Sequence, residues 1–335
     1  MKIQCIELCD LEHRAAYMSS DGENLFFMAA SPEGKITVLD HGFRKTAFMD
    51  LKRNIADMSA DFISGTAAVV FPDTGLISVF DFNFKTVFET APEDKYISCF
   101  FQNSSGILWC INKADDSSIE FHVYDTVSWK LLSTCRVMND FINPDCRFSQ
   151  IPGSKNILLC ISGESDERSS HVLNYDNGVI SANEMKVIAD YIFPEFSPAG
   201  NEFLTGDYGN IYRYVFPEML PAGFYSYNWD YGHGDFICYV DENTALFNTS
   251  TGRIFTLNTE RMILLNEIII AGHEPEAPAL YYPSLSPETE MCTDIMFIRR
   301  FGSKAAAVFR RDKNLQADQQ KDSLMFFELS QFRAV

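Results

Sequence analysis

Histidine is the side chain best suited to proton transfer and metal ligation near neutral pH. The chain of 335 residues has six: His13, His41, His122, His171, His233 and His273. They are widely spaced. No HExxH pair occurs, and no cysteine stands at zinc-ligand spacing from a histidine. A serine nucleophile on a strand-to-helix turn would need a GxSxG elbow. GESDERSS at 163–170 is instead a polar loop, and neither a P-loop nor a GxGxxG fingerprint is present. NKADDSS at 112–118 pairs Asp115 with Asp116 but lacks the ligand periodicity of a calcium loop. The most suggestive stretch is DYGHGD, 230–235. His233, set between glycines near Asp235, could orient a base or hold a metal; a glycine-rich connection with solvated side chains has the same composition. The expectation is no catalytic residue, no metal and no cofactor.

Nine cysteines is an odd number, without a CxxC pair. Cys99, Cys110, Cys160 and Cys238 lie inside apolar, strand-like runs, where free cysteine acts as a small buried hydrophobe. This usage fits a reducing compartment. MKIQCIELCDLEHR lacks the basic segment and apolar run of a secretory signal, and no apolar run approaches a membrane span. A cytoplasmic location is expected. The net charge is −19, from 27 bases and 46 acids. Such a field repels nucleic acid backbones and anionic lipid, and attracts cationic partners.

The elements that would position any site are short strands. NLFFMAA, TAAVVFPD, ILWCINK, NILLCIS and RIFTLN are rich in β-branched and aromatic residues and are separated by turn residues. No run of a dozen residues keeps a helical period. One unit recurs: ITVLDHGFRK at 36–45, ISVFDFNFK at 77–85 and FHVYDTVSWK at 121–130. In each copy an Asp follows a strand: Asp40, Asp81 and Asp125. We expect it to accept backbone N–H bonds in a hairpin, with Phe43, Phe84 and Trp129 covering the turn and Arg44, Lys85 and Lys130 solvated.

A repeat of about 40 residues, four strands each, reads as a β-propeller. Blades one to six begin near RAAYMSS, ADMSADF, YISCFFQ, CRFSQIP, YIFPEFSP and DFICYVD. Blade seven supplies only IMFIRRF, AAAVFRR and SLMFFEL. KIQCIEL, at the N-terminus, is a spare strand; beside SLMFFEL it closes the ring and removes open edges. The expected fold is all-β, a seven-bladed propeller over 1–335 as a single domain. In period and strand pattern the chain resembles the WD-repeat-like propeller superfamily across nearly its whole length. The third strands end VLD, VFD and VYD where such repeats often have Trp-Asp, and no Gly-His pair opens the blades. The resemblance implies a scaffold and carries no functional residue, since that superfamily shares an architecture rather than a chemistry.

Second-to-third-strand hairpins share a propeller face with the connections between blades. In this register they carry Glu33, Asp73, Asp115, Asp116, Glu164, Asp166, Glu167 and Asp207, with Glu89, Glu93, Asp94, Asp140, Asp145, Asp230 and Asp235 on the connections. The face is predicted to be acidic. Two connections stand out: SYNWDYGHGDF at 226–236, and the proline-rich 271–292. Long loops of this kind tend to carry function. Trp229, Tyr231, Asp235, His273, Glu274, Glu276, Tyr281 and Tyr282, together with Asp115 and Asp116, are the candidate contacts for a protein partner with a basic surface. An immunity-type inhibitor of a basic toxin or effector is the specific form of this reading. A general WD-repeat-like scaffold and a hydrolase or lyase using the central channel are the alternatives.

Overall fold

A computed structural model describes the chain except residues 21–26, 41, 92, 103–104, 116, 139–140, 142, 165–167, 188–191, 208, 227–232, 250–252, 272–294, 302–303, 311–320 and 333–335. It contains seven sheets. Two compact units divide the contacts. One holds Leu11–Met185; the other holds Lys186–Leu315 and Gln320–Val335 with Met1–Asp10.

The first unit carries blades one to four. Blade one is β3 (Tyr17–Ser20), β4 (Phe27–Ala30), β5 (Lys35–Leu39) and β6 (Lys45–Asp50). Blade two is β7 (Asp57–Asp61), β8 (Thr66–Phe71), β9 (Leu76–Asp81) and β10 (Thr86–Glu89). Blade three is β11 (Tyr96–Gln102), β12 (Ile107–Asp115), β13 (Ser118–Asp125) and β14 (Leu131–Met138). Blade four is β15 (Asp145–Gln150), β16 (Ile157–Ser162), β17 (Arg168–Asp176) and β18 (Val179–Glu184). Each is an antiparallel meander. Side-chain burial falls across a blade: β8 is buried at every position, whereas β14 is exposed at alternate ones. A middle strand is covered on both faces by neighbouring blades, so its sequence is continuously apolar; an outer strand is covered on one face, so its sequence alternates. Apolar clusters fill the spaces between blades one and two, two and three, and three and four.

The second unit carries blade five, with β19 (Ile192–Phe196), β20 (Glu202–Gly206), β21 (Asn210–Val215) and β22 (Leu220–Ser226). Blade six has β23 (His233–Asp241), β24 (Thr244–Thr249), β25 (Ile254–Asn258) and β26 (Ile263–Ile270). Blade seven has β27 (Ile295–Phe301), β28 (Lys304–Arg310) and β29 (Asp322–Glu328). Its fourth strand is β2 (Glu7–Asp10), antiparallel to β29 with Glu7 opposite Phe326. The predicted closure is therefore present, with one refinement. The N-terminal strand is split: β1 (Lys2–Ile3) leaves blade seven and pairs parallel with β26, making blade six five-stranded.

The repeated Asp performs the expected turn. Asp40 Oδ1 accepts from the N–H groups of Gly42 and Arg44, at 2.8 and 3.0 Å. Asp81 Oδ1 accepts from Asn83 and Lys85, and Asp125 Oδ1 from Val127 and Ser128. The aromatic residue that follows does more than cover the hairpin. Phe43, Phe84 and Trp129 have φ of 60°, 63° and 55°. They occupy the left-handed position that ends such a loop and starts a bulge, and the ladders of all three blades shift register there. Met219 and Met262 take the same conformation in blades five and six, where the sequence shows no motif. Within each unit the left-handed backbone aims three of these side chains at the preceding blade, and Phe84 joins the cluster between blades one and two. Trp129 stacks on Phe88 of blade two with ring centroids 5.0 Å apart. Met262 packs so tightly on Gly223 of blade five that a Cβ there would lie 2.9 Å from its Cγ.

Candidate functional site

Most of the candidate contacts fall outside the described residues: Trp229, Tyr231, His273, Glu274, Glu276, Tyr281, Tyr282 and Asp116. Asp235 lies in β23 with only its backbone described. Asp115 is described, and it is occupied. Its carboxylate accepts from Ser117 and Ser118 and pairs with Arg136. Other acids of the predicted face are held the same way. Asp73 pairs with Arg53 at 2.9 Å, Glu164 accepts from Asn143 Nδ2 at 2.7 Å, and in the second unit Asp207 accepts from Gly209, Asn210 and Tyr212. Arg53 and Arg136 thus lie among these acids, and the sequence reading had not placed them there. Hydrogen bonds and cations hold the carboxyls of Asp73, Asp115 and Asp207 below the usual carboxylate range.

The first strands of blades one to four bring together a group that no motif announced. β3, β7, β11 and β15 stand side by side, and polar side chains stitch each to the next. Ser19 Oγ meets the backbone of Ala60, Ser59 Oγ accepts from Phe101 N at 2.9 Å, and Ser98 Oγ lies 3.3 Å from Cys146 O. Asp57 is the centre of the arrangement. Its Oδ2 accepts from Ser98 Oγ at 2.5 Å and from Cys99 N at 3.1 Å, so blade two holds blade three through one carboxylate. Burial pushes this carboxyl up to about 6 against the pull of its hydrogen bonds, and the charge of Asp145 adds to the rise. Tyr17 donates to Ile55 O at 3.3 Å. Its phenol is pushed up to about 12, first by burial and then by Asp57 and Asp145. Asp145 and Arg147 form an exposed pair at 3.2 Å. The second unit has a related feature on its own first strands: burial lifts Glu195 of β19 to about 7 although Arg299 and Arg300 of β27 pull it down.

Blade three contains a second polar network, with a buried centre and half-buried carboxylates at its ends. Tyr96 Oη lies 2.7 Å from both His122 Nδ1 and Tyr124 Oη and donates toward Asp94 Oδ2 at 3.2 Å. His122 Nε2 meets Glu120 Oε2 at 2.9 Å. Tyr96 and His122 are buried, so the centre of the network ties strands of one blade together. His13 is likewise buried, between Arg14 O and Thr37 Oγ1. Among the described residues no group of three or more His, Cys, Asp or Glu side chains is arranged to hold a metal ion.

Sequence reading missed Asp57, Tyr17, Ser98 and Arg147 because each sits inside an ordinary strand-like run. A signal existed. Ser19 meets Ala60 at a separation of 41 residues, Asp57 meets Ser98 at 41, and Ser59 meets Phe101 at 42. Those separations are the repeat length. Polar residues one repeat apart at first-strand positions are neighbours in a propeller.

Asp57 yields a pH prediction. A carboxyl near 4 in the unfolded chain and near 6 when folded binds its proton more tightly in the native state. Its contribution to stability is therefore fully present below about pH 4 and is lost as pH rises through about 6. The expected size is on the order of 2 kcal/mol. Urea unfolding from pH 4 to 7 should show the stability of wild type relative to Asp57→Asn declining across that window. Parallel curves would show that the carboxyl is not perturbed.

No family model and no curated protein matches the chain. Solved structures do match. The β-propeller domain of Cps50 (Swd1) from Myceliophteria thermophila superimposes with a TM-score of 0.60 at 8% identity, covering 95% of this chain and 99% of that one. With the seven sheets and the closing β2, this defines the fold: an all-β, seven-bladed, WD-repeat-like β-propeller. Matches extend to 1313 solved chains, so the likeness selects an architecture and not a partner. Among the described residues no helix is long and apolar enough to cross a membrane.

Proposed function

We propose that this protein is a non-enzymatic propeller, a single domain over 1–335, that binds a protein with a basic surface through its second-to-third-strand hairpins and inter-blade connections. The observation that carries this reading is the net charge of −19. A charge of that size steers a cationic partner and repels nucleic acid. Arg53 and Arg136 neutralise part of the loop face of the first unit. The reading therefore rests more heavily on 226–236 and 271–292, whose Trp229, Tyr231, Tyr281 and Tyr282 would anchor the contact beside Asp235, Glu274 and Glu276. Neutralisation of a basic toxin or effector in the cytoplasm is the specific form we favour.

Capture of partners from cells at low and high salt tests this. The captured protein should be basic, and its affinity should fall with salt and on Glu274→Gln with Glu276→Gln, since exposed charges are screened beyond about 10 Å at 0.1 M salt. Salt-insensitive binding, or an acidic partner, would sink it. The enzyme alternative draws on one observation, the convergence of Tyr17, Asp57, Asp145 and Arg147 on the first strands. Turnover abolished by Asp57→Asn in an otherwise folded chain would favour that alternative.

A further inference from the structure

Two cysteines face each other in blade three. In the ladder between β11 and β12, Cys99 stands directly opposite Cys110. Antiparallel ladders alternate two kinds of facing pair, and the kind follows from where the N–H groups point. Cys99 N donates to Asp57 Oδ2 and Phe101 N donates to Ser59 Oγ, both on blade two and away from β12. Cys99 and Cys110 are therefore a non-hydrogen-bonded pair, the kind whose Cα atoms approach to about 4.5 Å. That separation lies at the short end of the range a disulfide spans. Both side chains also point the same way: Cys99 and Cys110 belong to the apolar cluster between blades two and three, while their neighbours Trp109 and Ile111 belong to the next.

We propose that Cys99 and Cys110, free thiols in this structure, close a cross-strand disulfide joining the first two strands of blade three whenever the chain folds or opens in the presence of an oxidant. Two Sγ–H bonds break and one Sγ–Sγ bond forms. The two electrons and two protons pass to a low-molecular-weight disulfide, which leaves as two thiols. The folded interior controls when this happens. Both residues are buried, and burial raises both thiols well above the ordinary cysteine range, so neither supplies thiolate to a reagent in solution. The bond forms while blade three is open, during folding or local unfolding, and is then sealed between blades two and three.

The sequence makes the test direct. Trypsin cuts after Lys95 and Lys113 and releases 96–113 with both cysteines in one peptide. The full chain is reduced and unfolded in urea, refolded over reduced and oxidised glutathione, and then unfolded and alkylated. The expected peptide is unalkylated and two hydrogens lighter than its reduced form. Cys110→Ala and, separately, Cys99→Ala should each leave the remaining cysteine of the pair unable to form the internal bridge. A wild-type peptide alkylated at both positions, or either cysteine bridged elsewhere, would overturn the proposal. Dithiothreitol supplies the second measurement. It should leave the bridge intact in the folded protein and open it at once in urea; equal rates in the two states would overturn the sealing of the bond.

Discussion

Gly75→Ala should be among the most damaging single substitutions in this protein, costing roughly 2–5 kcal/mol. Two effects add. Gly75 closes the hairpin between β8 and β9 with φ of 70°, a conformation that costs an L-residue about 1–2 kcal/mol. A Cβ there would also meet backbone: Lys95 Cα at 2.7 Å and Asp94 O at 2.9 Å. Backbone cannot swing aside as a side chain can, and overpacking of this kind costs typically 1–3 kcal/mol or more. The contact exists because the hairpin grips the connection to blade three, with Tyr96 N donating to Gly75 O at 2.8 Å. Gly34 repeats the arrangement in blade one against the Arg53 carbonyl, with φ of 86°. Gly178 is the control. Its φ is 85°, but nothing lies within 4 Å of an added Cβ, so Gly178→Ala should show the conformational cost alone. Thermal unfolding of the three variants measures the difference. Equal losses at Gly75 and Gly178 would show that the grip on the connection contributes nothing.

Asp322→Ala should be comparably severe, at about 3–5 kcal/mol, because it strands a buried guanidinium. Arg310 Nε and Nη2 donate to the two oxygens of Asp322 at 2.7 and 2.8 Å, across the ladder between β28 and β29. The carboxylate is fully buried and the guanidinium nearly so. The position next along β29 holds the closing strand: Ser323 Oγ donates to Asp10 Oδ1 at 2.5 Å, and the two residues face each other in the ladder. Losing Asp322 should therefore loosen β2 first, seen as faster amide exchange at Glu7–Asp10. Replacing Asp322 and Arg310 together with leucine should recover much of the loss, since neither charge is then left unpaired. A double variant as unstable as the single one would rule out a stranded charge as the cause.

How much could be read in advance differs from one residue to the next. Asp40, Asp81 and Asp125 were legible because their task is local: an Asx turn is made with N–H groups two to four residues away. Phe43, Phe84 and Trp129 were half legible. Their place in the hairpin was plain, but the left-handed backbone that turns Phe84 and Trp129 onto the preceding blade was not. Met219 and Met262 take the same backbone conformation without the motif, and Met262 packs on Gly223 of blade five. The candidate site was less legible. Residues 226–236 and 271–292 were singled out by length and composition, features that mark a loop without saying what it touches. The acidic face was overdrawn because Arg53 and Arg136 come from a connection and an outer strand, and only folding brings them to Asp73 and Asp115.

The sequence by itself determined the strand order, the seven blades, the closing of blade seven by residues near the N-terminus and the turn chemistry of three hairpins. Each of these rests on periodicity or on bonds within a few residues. Tertiary structure decided which side chains and strands meet. It set Asp57 against Ser98 and Cys99, opposed Cys99 to Cys110 on the non-hydrogen-bonded side of their ladder, and split the first strand between blades six and seven. The physical reason is the same in each case. A carboxyl's proton affinity, a thiol's reach and a strand's partner depend on which groups exclude water around them, and those groups are supplied by another blade.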